Sequence, residues 1–232
     1  MMAQLRSGYR AVVFGDSGTL GQAWLRLLQD DPRCAAVTGL SRRGVPALRL
    51  EDEASLQAGA AALAAAGPLH LVLDATGALA IDGRGPEKRL DDLDGMALLR
   101  SLQVNAVGPA LLLKHFVPLL ASGERVIWAK LSARVGSIED NRRGGWYGYR
   151  AAKAALNMLL QTAAIEIARR RPLAVVACLQ PGTVRSPLSR PFVGDDALEP
   201  AVAAQGLLTA LDALAPTGRA QFVDWRGQAI PW

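Results

Sequence analysis

Cysteine, histidine, lysine and aromatic residues are all scarce in this 232-residue chain, and each scarcity removes a class of protein. Cys34 and Cys178 are the two cysteines. They lie far apart, giving neither a disulfide framework nor a metal knuckle, and they fit a reducing cytoplasm. The two histidines, His70 and His115, have no cysteine or carboxylate at ligand spacing, so no metal site is expected. Like charges are not blocked together. The net charge of +5 arises from 26 basic and 21 acidic residues, the basic ones mostly scattered arginines, and no nucleic-acid partner is expected. The opening MMAQLRSGYR lacks the apolar stretch of a secretory leader. Ala54 to Leu73 carries no formal charge, but it is mostly alanine interrupted by Gln57, Gly67-Pro68 and His70. It reads as helix, break and strand rather than a membrane span.

What remains is half apolar and a fifth charged, enough for one buried core and a single domain over residues 1–232. Runs rich in β-branched and apolar residues predict strands over Tyr9–Phe14, Ala35–Leu40, Leu69–Ala75, Arg125–Leu131, Leu173–Leu179 and Gln221–Trp225. Helical spacing predicts helices over Thr19–Gln29, Glu53–Ala66, Leu98–Leu120 (bent or restarted at Gly108-Pro109), Tyr149–Arg171 and Ala197–Ala215. Asp82 to Asp94 reads as a loop or broken helix. Strict alternation of strand and helix implies a doubly wound parallel sheet of α/β class, a Rossmann fold.

The turn after the first strand, Gly15-Asp16-Ser17-Gly18-Thr19-Leu20-Gly21, opens a helix. Glycines there let the backbone approach a pyrophosphate, and the helix N-terminus offers free N–H groups. The alternative is a tight turn that merely needs glycine. An acidic residue about twenty positions on would read the ribose of NAD, but none stands between Asp31 and Glu51. Ser41-Arg42-Arg43 ends the second strand instead, and forked guanidinium groups suit a 2′-phosphate, favouring NADP(H). The alternative is two solvated arginines.

Tyr149 and Lys153 stand four apart on the long helix, on one face; Tyr147 has no such partner and reads as a loop residue. A phenol works as an acid-base at neutral pH only if a neighbour favours the phenolate. A drop of about three units needs roughly 4 kcal/mol. Read singly, Ser132 ends a strand and Asn105 satisfies a helix kink.

Taken in order, the glycine turn, Asp74-Ala75-Thr76-Gly77, Asn105, Leu131-Ser132-Ala133, Tyr149-x-x-x-Lys153 and Gln180-Pro181-Gly182-Thr183-Val184 resemble the short-chain dehydrogenase/reductase family over nearly the whole chain. The resemblance implies that Tyr149 protonates a carbonyl oxygen held by Ser132 as hydride arrives from NADPH. It implies that Lys153 binds the nicotinamide ribose and lowers the tyrosine pKa, and that Asn105 anchors a relay water through its main chain. Gly15, Ser17, Gly18, Thr19, Leu20, Gly21, Ser41, Arg42, Arg43, Ala75, Thr76, Gly77, Pro181, Gly182, Thr183 and Val184 would line the cofactor.

The turn is spaced GxxGxxG rather than GxxxGxG, and Arg49 stands where the family often has an aspartate near the adenine, so no adenine contact is carried onto it. The long interval from Ser132 to Tyr149, the stretch Pro187-Leu188-Ser189-Arg190-Pro191-Phe192 and the segment Asp224 to Trp232 resemble a small C-factor-like or carbonyl-reductase branch. The activity implied is interconversion of an aldehyde or ketone with an alcohol, in a cytoplasmic homo-oligomer, dimer or tetramer. The alternative is an NADP(H)-binding sensor or signalling protein. Epimerase or dehydratase chemistry is disfavoured by the short chain beyond Pro181.

Overall fold

A computed structural model describes residues 1–187, 189 and 197–232. Most of the stretch from Pro187 to Phe192 lies outside the described residues. Six parallel strands, β1 (Tyr9–Phe14), β2 (Cys34–Leu40), β3 (Leu71–Asp74), β4 (Val126–Leu131), β5 (Ala174–Gln180) and β6 (Ala220–Asp224), form one sheet in the order β2-β1-β3-β4-β5-β6. The helices are α1 (Thr19–Gln29), α2 (Glu53–Ala64), α3 (Gly95–Leu102), α4 (Gly108–Phe116), α5 (Tyr147–Arg170) and α6 (Pro200–Ala213). This is the expected Rossmann architecture. Both faces of the sheet are covered, which is why its central strands read as apolar runs rather than alternating ones.

Alternate residues of each strand feed two separate cores. Val12, Phe14, Val72, Trp128, Val176 and Phe222 pack with α2, α4 and α5 on one face. Val13, Leu71, Leu73, Ile127, Ala177 and Val223 pack with α1 and α6 on the other. Trp24 anchors α1 to α6 through a hydrogen bond from its indole N–H to the Ala204 carbonyl, 3.2 Å. Asp52 caps α2, its side chain accepting from the Ala54 and Ser55 N–H groups.

The long helix restarts at Gly108-Pro109 as expected, where α4 begins. Gln103–Val107 is a π-helical turn joining α3 to α4. The Gly108 N–H reaches back to the Gln103 carbonyl and Pro109 has no N–H, so the carbonyls of Val104 and Asn105 lose the donors an unbroken α-helix would give them. The helical run Gly95–Leu119 is long and apolar enough to cross a membrane by length and composition alone. Here it packs against α5 and α2 as a core helix.

A correction concerns Tyr147, which is the first residue of α5 and not part of the loop. Gly144, Gly145 and Trp146 take φ of 63°, 64° and 56° in succession, a left-handed turn that ends just before it. Glycine adopts that conformation without strain, whereas for Trp146 it costs about 1 kcal/mol. The chain is held there by Glu87, whose carbonyl accepts from the Trp146 N–H at 2.5 Å and whose carboxylate accepts from the Gly148 N–H at 3.0 Å.

Candidate active site

In the strand order β2-β1-β3, successive connections leave β1 in opposite directions, and such a switch point opens a crevice at the strand C-termini. A cavity of about 310 Å³ occupies it, lined by Gly15, Ser17, Gly18, Ser41, Arg42, Ala75, Thr76 and Gly77 together with Leu48, Leu50 and Val104. The Gly15 backbone has φ of 76°, and a Cβ there would stand 3.1 Å from the Ala75 carbonyl carbon. The crevice therefore depends on the glycine. Thr19, Leu20 and Gly21 form the first turn of α1 behind this wall.

Arg43, Pro181, Gly182, Thr183 and Val184 are not part of the cavity lining. The last four follow β5, where Val184 pairs with Leu198 in an isolated bridge. A backbone crevice at a helix N-terminus with a guanidinium at its rim suits a phosphorylated dinucleotide.

A second cavity of about 340 Å³ shares Ile81, Asp82 and Arg100 with the first, so the two adjoin. Tyr149 forms part of its wall, with Leu79, Met96, Ala97 and Glu87. The Trp146 ring meets Tyr149 edge-on at 6.2 Å between centroids. Enclosure of the ring pushes the Tyr149 phenol up to about 12.

Lys153 is 2% exposed; its Nζ donates to the Leu131 carbonyl at 3.1 Å and lies 5.5 Å from the centroid of the Tyr149 ring. Burial, reinforced by the nearby Lys130 ammonium, lowers its pKa to about 7. Burial thus favours the neutral form of both groups, raising the phenol and lowering the ammonium.

Ser132, 5% exposed, follows Leu131 and donates from Oγ to Asn157 Oδ1 at 2.6 Å. Asn105 is fully buried in the π-turn, and its side-chain amide grips both polar groups of Ala78: Oδ1 accepts from the N–H at 3.0 Å and Nδ2 donates to the carbonyl at 2.9 Å. A Cβ on Gly77 would stand 3.0 Å from Asn105 Oδ1 and 3.5 Å from Lys153 Nζ. Asn105, Lys153 and the turn at Gly77 thus meet at one point.

Sequence reasoning missed Glu87 and Asn157. Asn157 stands four residues beyond Lys153, an amide on the buried face of a helix rich in alanine and leucine, which is a readable signal. Glu87 sits in an irregular loop and had none. Among the described residues no group of three or more His, Cys, Asp or Glu could hold a metal ion.

A family model described as enoyl-(acyl carrier protein) reductase matches residues 33–219. The chain is 31% identical over 189 residues to a 1-hydroxy-2-glutathionyl-2-methyl-3-butene dehydrogenase of Rhodococcus sp. (strain AD45), covering 81% of this chain and 79% of that protein. It is 34% identical over 145 residues to the C-signal of Myxococcus xanthus, covering 62% of this chain and 83% of that protein. Its fold superposes with a TM-score of 0.83, at 21% identity, on an NADPH-bound carbonyl reductase from chicken fatty liver, over 98% of this chain and 100% of that one. With a family model over residues 33–219 and a 31% identical relative matched over 81% of this chain, this protein belongs to the short-chain dehydrogenase/reductase family of NAD(P)-dependent oxidoreductases.

Proposed function

We propose that this protein is an NADPH-dependent oxidoreductase that interconverts an aldehyde or ketone with an alcohol, cofactor and substrate sharing one domain. The observation that carries the reading is the position of Lys153: its Nζ lies 5.5 Å from the centroid of the Tyr149 ring, bonds the carbonyl of Leu131 just before Ser132, and shares the space around Gly77 with Asn105. Arg42 at the cavity rim supports NADP(H) over NAD(H), as does the NADPH in the chicken structure. The bound cofactor supplies hydride.

The protein's own residues do the rest. Ser132 donates a hydrogen bond to the substrate oxygen and keeps its proton, exchanging its bond to Asn157 for one to the developing alkoxide. Tyr149 gives its proton to the same oxygen. Lys153 binds the nicotinamide ribose and stabilises the tyrosinate left behind. The Asn105 carbonyl, relieved of its helical donor by Pro109, accepts a hydrogen bond from the water that carries a proton back toward Lys153. Gly15, Ser17, Gly18, Ala75, Thr76 and Gly77 support the cofactor directly, and Pro181 to Val184 flank it after β5.

Exposed Met96 and Leu99 on α3, and Met158 and Ile165 on α5, support a homo-oligomer. The scarce cysteines support a cytoplasmic location.

The test is a panel of carbonyl compounds followed at the NADPH absorbance. Tyr149→Phe is expected to lose turnover by at least about a hundredfold while retaining NADPH binding, and Tyr147→Phe to keep most activity. Near wild-type turnover in Tyr149→Phe would refute the mechanism. Similarity to C-signal favours a second reading, a signalling protein that holds NADP(H). NADPH binding with no turnover across the panel would establish that reading instead.

A further inference from the structure

The sheet interior holds charge where its neighbours are apolar. Asp74 on β3, Lys130 on β4 and Cys178 on β5 are register partners, on the face that buries Phe14 and Trp128. Lys130 and Asp74 are fully buried. The Lys130 ammonium donates to Asp74 Oδ1 at 3.1 Å, to Thr76 Oγ1 at 3.2 Å and, in a short contact, to the Thr76 carbonyl. Asp74 Oδ1 also accepts from the Thr76 N–H at 2.8 Å and the Thr76 hydroxyl at 2.6 Å, while Oδ2 is buried with no hydrogen-bond partner among the described residues.

Stability does not explain such a pair. Desolvating two charges costs about what their attraction returns, and apolar replacements of similar bulk are often as stable or more so. Its polar contacts converge instead on Thr76, which lines the cofactor cavity beside Gly77, whose φ of 133° fixes the approach to Asn105 and Lys153. The N–H, hydroxyl and carbonyl of Thr76 all bond to this one pair, while the preceding Ala75 N–H is held by the Phe14 carbonyl at 2.9 Å, so within the turn the pair alone anchors Thr76.

We propose that Lys130, paired with Asp74, is a positioning residue for the cofactor: it clamps the turn Asp74-Ala75-Thr76-Gly77 so that Thr76 and Gly77 present a fixed backbone to the nicotinamide end of NADPH. The proposal rests on the NADPH reading given above. Lys130 touches neither substrate nor cofactor; it acts through Thr76.

Lys130→Met alone leaves Asp74 an unpaired buried carboxylate and is expected to fold poorly. The deciding variant is therefore the double replacement Asp74→Leu/Lys130→Met. It is expected to melt within a few degrees of wild type, while the NADPH Kd, read by fluorescence titration without turnover, rises about tenfold. With a carbonyl substrate, the KM for NADPH should rise in parallel while kcat at saturating NADPH falls much less, a split that a general loss of folded protein does not produce. A folded double variant with wild-type NADPH affinity overturns the proposal. So does a double variant that fails to fold, which would assign the pair to folding. A wild-type protein that binds NADPH but reduces no carbonyl overturns the oxidoreductase reading alone, because the binding comparison still decides the role of Lys130; one that does not bind NADPH overturns both.

Discussion

Replacing Lys153 by methionine separates what this residue does for catalysis from what it costs the fold. Burial and the Lys130 charge lower its pKa from 10.5 to about 7. Between those values the unfolded chain holds a proton that the folded protein has released, so stability rises with pH across that window. Below about pH 7 the folded protein carries the full penalty of a desolvated ammonium. About 3.5 units at 1.36 kcal/mol each is about 5 kcal/mol. The lost hydrogen bond to the Leu131 carbonyl offsets about 1 kcal/mol.

Lys153→Met is therefore expected to be more stable than wild type at pH 6, with the advantage shrinking toward zero by pH 10. It should meanwhile lose at least about a hundredfold in turnover as the tyrosinate loses its cation. Urea denaturation at the two pH values, with NADPH oxidation on the same preparations, is the assay. A variant equally destabilised at both pH values would refute the lowered pKa of Lys153.

Arg42→Ala should raise the KM for NADPH by about 10- to 100-fold, the loss of a charge-assisted bond to the 2′-phosphate, and leave the KM for NADH nearly unchanged. Equal losses with both coenzymes would deny Arg42 that role. At Gly148 an added Cβ would fall 2.8 Å from Glu87 Oε1 and 3.2 Å from Leu98 Cδ2. Gly148→Ala should then cost about 1–3 kcal/mol and lower kcat by shifting Tyr149, measured by melting and steady-state kinetics; removing the Glu87 side chain as well should recover part of the stability. A wild-type melting temperature in Gly148→Ala would contradict the tight seat.

The sequence carried the sheet because parallel strands buried on both faces leave an apolar run that polar turns punctuate; Leu71–Asp74 and Val126–Leu131 were legible for that reason. It carried Tyr149, Lys153, Ser132 and Asn105 because each sits at a strand end or on a helix with fixed spacing. It located the restart at Gly108-Pro109 because Pro109 marks a missing donor, but not the π-turn just before it, in which the backbone absorbs that loss.

The upward shift of the Tyr149 phenol was not legible either, since it depends on how far the folded chain buries the ring. Lys130 did leave a mark, a single lysine inside an otherwise apolar strand ending opposite Asp74. Only the parallel register turns that mark into a pair.

The left-handed turn at Gly144–Trp146 sets a mechanical limit on α5. A right-handed helix cannot grow backwards through three residues wound the other way, nor can it slide along its axis without unwinding them. The Tyr149 phenol, two residues inside that stop, is indexed to a fixed origin much as a vernier is set against its zero mark. Loop transplants between relatives that carry an ordinary L-residue at Gly144 or Gly145 would shift that zero, and every distance measured from Tyr149 would shift with it.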